Sequence, residues 1–185
     1  PRLAQLSEKY FGVRDMNEVI VDDGRHFINT SSKKYDVIVL DVFQGEVPPW
    51  QLLTLECFQK VRSMLRPKGS LIIEFFGDLD QGDASALKAV HKTLSTAGFE
   101  VNVIDVEKRE KLLIASEEPP TLEGVGLGSG NYIDKDISDL SRWLVSPSLL
   151  VEEKAPVLTD NLPRLERMVL ESSLEWRRYQ NNLFR

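Results

Sequence analysis

Two runs constrain this chain more than anything else: Tyr35–Leu40 (YDVIVL), closed by Asp41, and Ser70–Phe76 (SLIIEFF). Both are continuous apolar stretches of strand length, the pattern of strands buried on both faces. Between them Leu52, Leu53, Cys57, Val61, Met64 and Leu65 recur at helical spacing from about Trp50 to Leu65, after Pro48-Pro49 and before Pro67 and Gly69. Parallel strands need a crossover of about a dozen residues or more, and a helix is the usual one. Strand, helix, strand therefore predicts an α/β fold, doubly wound and Rossmann-like, with a mostly parallel sheet.

The flanking segments extend the rhythm. Leu3, Leu6 and Tyr10, stopped by Gly12, predict a short helix over residues 2–11. Glu18–Val21 reads as a brief strand ended by Asp22-Asp23-Gly24, followed by a helical turn over Arg25–Thr30 with Phe27 and Ile28 inward. Leu87, Val90, Leu94 and Ala97 predict a helix up to Gly98. Phe99–Val106 and Lys111–Ser116, joined by the charged link Glu107–Glu110, predict an antiparallel strand late in the chain. After Pro119-Pro120 the pattern changes. Residues 1–120 are expected to form the α/β unit, and residues 121–185 a helical C-terminal extension packing on it, with helices near Ile137–Val145 and Leu165–Tyr179.

Composition narrows the function. The formal charge of -6 repels phosphate backbones and favours cationic ligands, so nucleic acid is not expected as a partner. One cysteine, Cys57, excludes an internal disulfide, and His26 and His91 are too few for a zinc ligand set, so no metal is expected. A reducing, cytoplasmic setting fits this usage. No run reaches the roughly 18 to 20 apolar residues of a bilayer span, so direct membrane insertion is not expected. The chain begins with Pro1 rather than Met, which suggests a processed or cut product.

Several motifs carry little. The glycines of GVGLGSG (Gly124–Gly130) alternate rather than fit G-x-G-x-x-G, and no apolar strand feeds into them. A flexible loop explains them better. Cys57 lies on the apolar helical stripe with no basic neighbour in the pattern to lower its pKa, as for a buried structural thiol. His26 and His91 read as surface or capping residues. Asp22, Asp23 and Asp41 are different: they follow strands, which places them at the carboxyl edge of a parallel sheet, where open α/β folds bind ligands. Acidic residues there also cap the helices that follow, and the sequence leaves both readings open.

The stretches VDDGRHFI and YDVIVLDVFQGEVPPWQLLTLECFQKVRSMLRPKGSLIIEFF, with LLIAS (Leu112–Ser116) and PVLTDNLPRLE (Pro156–Glu166), resemble the spermidine synthase family. These are polyamine aminopropyltransferases built on the S-adenosylmethionine-dependent methyltransferase fold. LTDN is most similar to bacterial spermidine synthase-like proteins, some of them fused to membrane transporter segments. The resemblance implies a transferase of polyamine biosynthesis that moves an aminopropyl group from decarboxylated S-adenosylmethionine to a small cationic amine, leaving methylthioadenosine. It implies that Asp22, Asp23 and Gly24 bind the cofactor, with Asp23 accepting from the adenine amine. Asp41 matches the first aspartate of the family's D-x-x-D element and serves both cofactor and chemistry.

Two departures follow from the same comparison. The second aspartate of that element, which takes a proton from the attacking amine, falls at Gln44; an amide accepts a hydrogen bond but is no general base near neutral pH. Glu46 is the nearest carboxylate that could substitute. The family's glycine-rich cofactor loop and ribose-binding acid precede a helix that begins much like PRLAQLSEKYFGV, and neither is in this chain. Their two strands lie between those ending at Asp22 and Asp41, so a gap is expected at the sheet centre, filled by a missing N-terminal segment or by another polypeptide, a homo-oligomer included. An S-adenosylmethionine-dependent methyltransferase, which needs no carboxylate at position 44, and a non-catalytic interaction module that keeps the fold are the alternatives.

Overall fold

In the computed structural model, residues 6, 9–10, 19–42, 49–76, 79, 84–107, 110–118, 140–162 and 164–169 are described. Four strands, β1 (Tyr35–Leu40), β2 (Leu65–Phe76), β3 (Glu100–Glu107) and β4 (Glu110–Ser116), form one sheet in the order β1-β2-β4-β3. β1 pairs with β2 in parallel; β4 runs antiparallel to both β2 and β3. Three strands thus point one way, and β4 alone is reversed, as the late hairpin predicted. The helices are α1 (Gly24–Thr30), α2 (Leu55–Met64), α3 (Ser85–Thr96) and α4 (Pro147–Leu150), with 3-10 turns at Trp50–Leu52 and Leu140–Trp143.

Strand alternation sorts the side chains. Leu71, Ile73 and Phe75 of β2, with Leu113 and Ala115 of β4, are fully buried on one face, in a single core with Cys57, Phe58 and Val61 of α2 and Leu87, Val90 and Leu94 of α3. The other face is less covered. Val37 and Val39, in register with Ser70 and Ile72, are 52% and 59% exposed. At the far edge, β3 is shielded: Leu144 bridges Ile104, and Val145 donates its backbone N–H to the Val103 carbonyl at 2.8 Å. β1 has no such neighbour among the described residues, and its outer edge is open.

Three sequence expectations need correction. The strand expected at Glu18–Val21 does not form over the described residues 19–21; Val19, Ile20 and Val21 are exposed. A strand exists only with a partner for its ladder, and no described strand lies beside this segment. The helix expected over Trp50–Leu65 is split: the 3-10 turn ends at Leu52, and Thr54 starts α2 afresh as an N-cap accepting the Cys57 N–H. β2 begins at Leu65 rather than Ser70. The helix stops at Met64, ahead of Pro67 and Gly69 as expected, but these two residues lie within β2, in a bulge where Lys68 adopts φ 66° and the register to β1 shifts. A Cβ on Gly69 would lie 2.9 Å from the Arg66 carbonyl oxygen and 3.0 Å from that of Asp36. The helices expected over 2–11 and 165–179 are helical at 6, 9–10 and 165–169, and the remainder lies outside the described residues, as does the Gly124–Gly130 loop. Of the helix expected over 137–145, residues 140–143 form only a 3-10 turn, and Leu144 and Val145 leave it to bond with β3.

The segment after residue 150 returns to the core. Leu158, Leu165 and Val169 are buried, and Leu158 exchanges main-chain bonds with two helices: its N–H reaches the Thr93 hydroxyl at 2.9 Å, and its carbonyl accepts the Leu55 N–H at 2.8 Å. Thr93, itself fully buried, returns its proton to the Ala89 carbonyl at 2.6 Å, so no group in that chain is left unsatisfied.

Candidate functional site

A groove of about 270 Å³ runs along the length of β1 to its junction with α1, lined by Tyr35, Val37, Ile38, Val39 and Leu40 of β1, by Gly24, Phe27 and Ile28 of α1, and by Val42, Leu52 and Met64. The fold makes this junction. α1 is short, with Ile28 as its buried anchor, and its N-terminus carries the Asp22-Asp23-Gly24 turn to the sheet edge where Asp41 follows β1. Gly24 faces the Leu52 side chain, where a Cβ would make ordinary contact at 3.5 Å.

Asp23 is the N-cap of α1, its Oδ1 accepting the His26 N–H at 2.9 Å. The capping reading of this residue is therefore correct, and it leaves the second carboxylate oxygen with acceptor capacity. Asp22 Oδ1 accepts the Asp23 N–H at 2.8 Å, and Asp22 Oδ2 lies 2.7 Å from His26 Nδ1. The hydrogen bond from His26 holds the Asp22 carboxyl below its ordinary range, and the same bond raises His26. All of this is at the surface.

Asp41 is exposed beside β2. Because Leu40 pairs with Ile73, Asp41 falls next to Glu74 on the less covered face, which brings the two carboxyls within hydrogen-bonding reach of each other. Loss of hydration, then hydrogen bonding to Asp41, then the charges of Asp41 and Glu110 push Glu74 upward. Sequence reading passed over Glu74 because it sits inside an apolar run, where alternation alone does not say that its face is open. Gln44 and Glu46 lie outside the described residues.

Arg25, two residues after Asp23, is the second residue not anticipated. Its Nη1 donates to the Gln51 carbonyl at 2.6 Å and to Thr54 Oγ1 at 2.9 Å, and its Nη2 to Asp160 Oδ2 at 2.6 Å. Thr54 in turn donates to Asp160 Oδ1 at 2.6 Å. The same guanidinium lies beside Cys57, yet burial dominates and pushes that thiol up to about 11. Cys57 is thus the buried structural thiol expected, although a basic neighbour is present after all. Among the described residues no three His, Cys, Asp or Glu side chains are gathered as a metal would require, and no helix is long and apolar enough to cross a membrane.

The fold is that of the S-adenosylmethionine-dependent methyltransferase type, and the chain resembles the polyamine aminopropyltransferases. It is 21% identical, over an alignment 202 positions long with gaps, to "Probable polyamine aminopropyl transferase" of Bifidobacterium longum, covering 95% of this chain and 45% of that protein. A solved "probable spermidine synthase from Corynebacterium glutamicum" superposes with TM-score 0.66 at 20% identity over 87% of this chain and 61% of the other. Human methyltransferase-like protein 13, solved with SAH, superposes with TM-score 0.53 at 23% identity over 65% of this chain and 59% of the other. The chain spans under half the length of the Bifidobacterium relative. No protein-family model matches it.

Proposed function

We propose that this chain is the acceptor-side part of a spermidine synthase-like transferase, moving an aminopropyl group from decarboxylated S-adenosylmethionine to a small polyamine. The observation that carries this reading is the pairing of similarity along nearly the whole chain with two carboxyls, Asp41 and Glu74, at the carboxyl edge of the parallel pair β1–β2. Ligands of open α/β sheets bind at that edge, and a cationic amine needs acceptors and negative charge there. Where the groove passes the end of β1, the residues present also suit an adenosine: apolar surface at Gly24, Val42 and Leu52 for a purine face, and the Asp23 carboxylate nearby to accept from its amine.

In the reaction the acceptor nitrogen's lone pair forms the new N–C bond while the C–S bond breaks, its electron pair staying on sulfur, and methylthioadenosine leaves. The sulfonium supplies the activated carbon. The work left to this chain is to hold the amine in line and to take one proton from it. With an amide at Gln44, that proton goes to a carboxylate. Glu74 lies beside Asp41, and loss of hydration together with that neighbouring carboxyl raises Glu74 above its ordinary value, which moves it toward the range of a general base near neutrality.

The open edge of β1 belongs to the same proposal. The glycine-rich loop that approaches the cofactor in this family sits on a strand beside the one ending at Asp41, so that strand, from polypeptide outside these residues, would pair with Tyr35–Leu40 and cover Val37 and Val39. Val19–Val21 would then gain its sheet as well.

Gln44 favours a second reading, a methyltransferase using S-adenosylmethionine. The test is calorimetry of the full gene product with both sulfonium compounds, followed by product analysis with putrescine. Aminopropylated putrescine establishes the first reading; binding of S-adenosylmethionine without it selects the second. A protein that binds neither compound is an interaction module.

A further inference from the structure

We propose that Asp160 is a positioning residue, holding through Arg25 the turn Asp22-Asp23-Gly24 in register with the start of α2; its effect on nucleoside affinity rests on the reading of that turn given above. The turn has little holding of its own. α1 is seven residues long with only Ile28 buried, and Asp22, Asp23 and Gly24 are exposed. Asp160, by contrast, stands on a segment fixed at several points. Leu158, two residues before it, is buried and bonded to Thr93 and Leu55. Leu165, five residues after it, is buried. Its own N–H is taken by Glu56 Oε2 at 3.0 Å.

Both oxygens of Asp160 are committed, Oδ2 to Arg25 Nη2 and Oδ1 to the Thr54 hydroxyl, each at 2.6 Å. Thr54 is buried and caps α2, so the carboxylate ties a fixed helix start to a guanidinium. That guanidinium also grips the Gln51 carbonyl at 2.6 Å. Its planar fork sets direction as well as distance. One ion pair, between residues 135 apart in the chain, thereby sets the angle between the turn and the Gln51–Thr54 corner that precedes α2. The Arg25 side chain is 16% exposed, so losing its partner leaves a largely desolvated charge and frees the turn to follow it outward.

The test compares wild type with Asp160→Asn and Arg25→Gln. In the 185-residue chain, amide exchange is followed at His26 and Phe27, whose N–H groups are bonded to Asp23, and at Ile72 and Leu113 in the sheet. Loss of a charge-assisted bond predicts exchange at the first pair faster by roughly tenfold or more, with the sheet amides unmoved, and the double variant no worse than either single one. In the full gene product, Asp160→Asn should raise KM for the nucleoside substrate by a similar factor and leave kcat within a few fold. Equal acceleration at all four amides would make Asp160 a general stabiliser and overturn the proposal, as would unchanged exchange at His26 and Phe27. Accelerated turn amides in a gene product that binds no nucleoside would uphold the positioning and bring down the nucleoside reading alone.

Discussion

His26 Nδ1 stands 2.7 Å from Asp22 Oδ2, a surface pair at the mouth of the candidate cofactor turn. The bond raises His26 above its ordinary 6.5 and lowers Asp22 below 3.8. The His26 contribution to stability is therefore complete below pH 6.5 and fades as pH rises through the folded-state value. That of Asp22 is complete above pH 3.8 and fades as pH falls through its folded-state value. His91 is shifted the opposite way, lowered by burial. Proton NMR should find the two imidazoles titrating on opposite sides of 6.5, with Asp22→Asn returning His26 toward it. A His26 that titrates below His91 would contradict the pairing.

Cys57 should be unreactive. With its thiol pushed up to about 11 by burial and no exposed surface, almost no thiolate is present at pH 8. A disulfide reagent should modify the folded protein at least about a hundredfold more slowly than the urea-unfolded protein. Labelling at the same rate in both states would show that Arg25 outweighs burial.

Gly98 ends α3 with φ 89°, a conformation that L side chains rarely adopt, and a Cβ there would stand 2.6 Å from Arg62 Nη1. Gly98→Ala should lower unfolding free energy in urea by about 1–3 kcal/mol. Arg62→Ala in the same background should recover little, because the guanidinium can swing aside while the backbone strain cannot be relieved.

Carboxylate chemistry can be divided by mutation. Removing a general base costs about a hundredfold to ten-thousandfold in rate. In an active full-length transferase, Glu74→Gln is expected to fall by that order, Glu46→Gln to change less, and Gln44→Asp to hold or raise the rate. Steady-state transfer to putrescine measures all three. A larger loss at Glu46 than at Glu74 would move the proton acceptor to Glu46.

Val37→Lys with Val39→Lys tests the open edge. Both side chains are more than half exposed, so the stability of this chain should change by less than about 0.5 kcal/mol each. Binding of an apolar dye should fall. If the edge receives a further strand, activity of the full gene product should be lost.

The legibility of this molecule divides by distance along the chain. YDVIVL and SLIIEFF were readable because burial on both faces writes itself into consecutive residues, and the late hairpin because its link is short. Val19–Val21 looked like a strand for the same local reason, but strand formation is decided by a neighbour that the run itself cannot supply. Pro67 and Gly69 mark the helix end correctly but hide the early start of β2, because a bulge and a loop use the same residues. Asp41 is legible from its position after a strand, whereas Asp22 and Asp23 are singled out by a strand, Glu18–Val21, that residues 19–21 do not form. Arg25, Thr54 and Asp160 were not legible, since nothing in their separate surroundings announces that they converge. Glu74 was hidden by the company it keeps.

The order β1-β2-β4-β3 has a consequence for how the chain comes together during synthesis. The last of the four described strands to be made is an interior one, so when residues up to Glu107 have left the ribosome, β2 still lacks its β4 neighbour and β3 has no partner among these strands. The hairpin of β3 and β4 forms locally and quickly, and its docking against β2 is then the long-range step that completes the sheet. A chain cut anywhere before Ser116 would keep its best apolar strand exposed. Nascent chains stalled in this interval should be bound by chaperones far more strongly than those stalled a few dozen residues later.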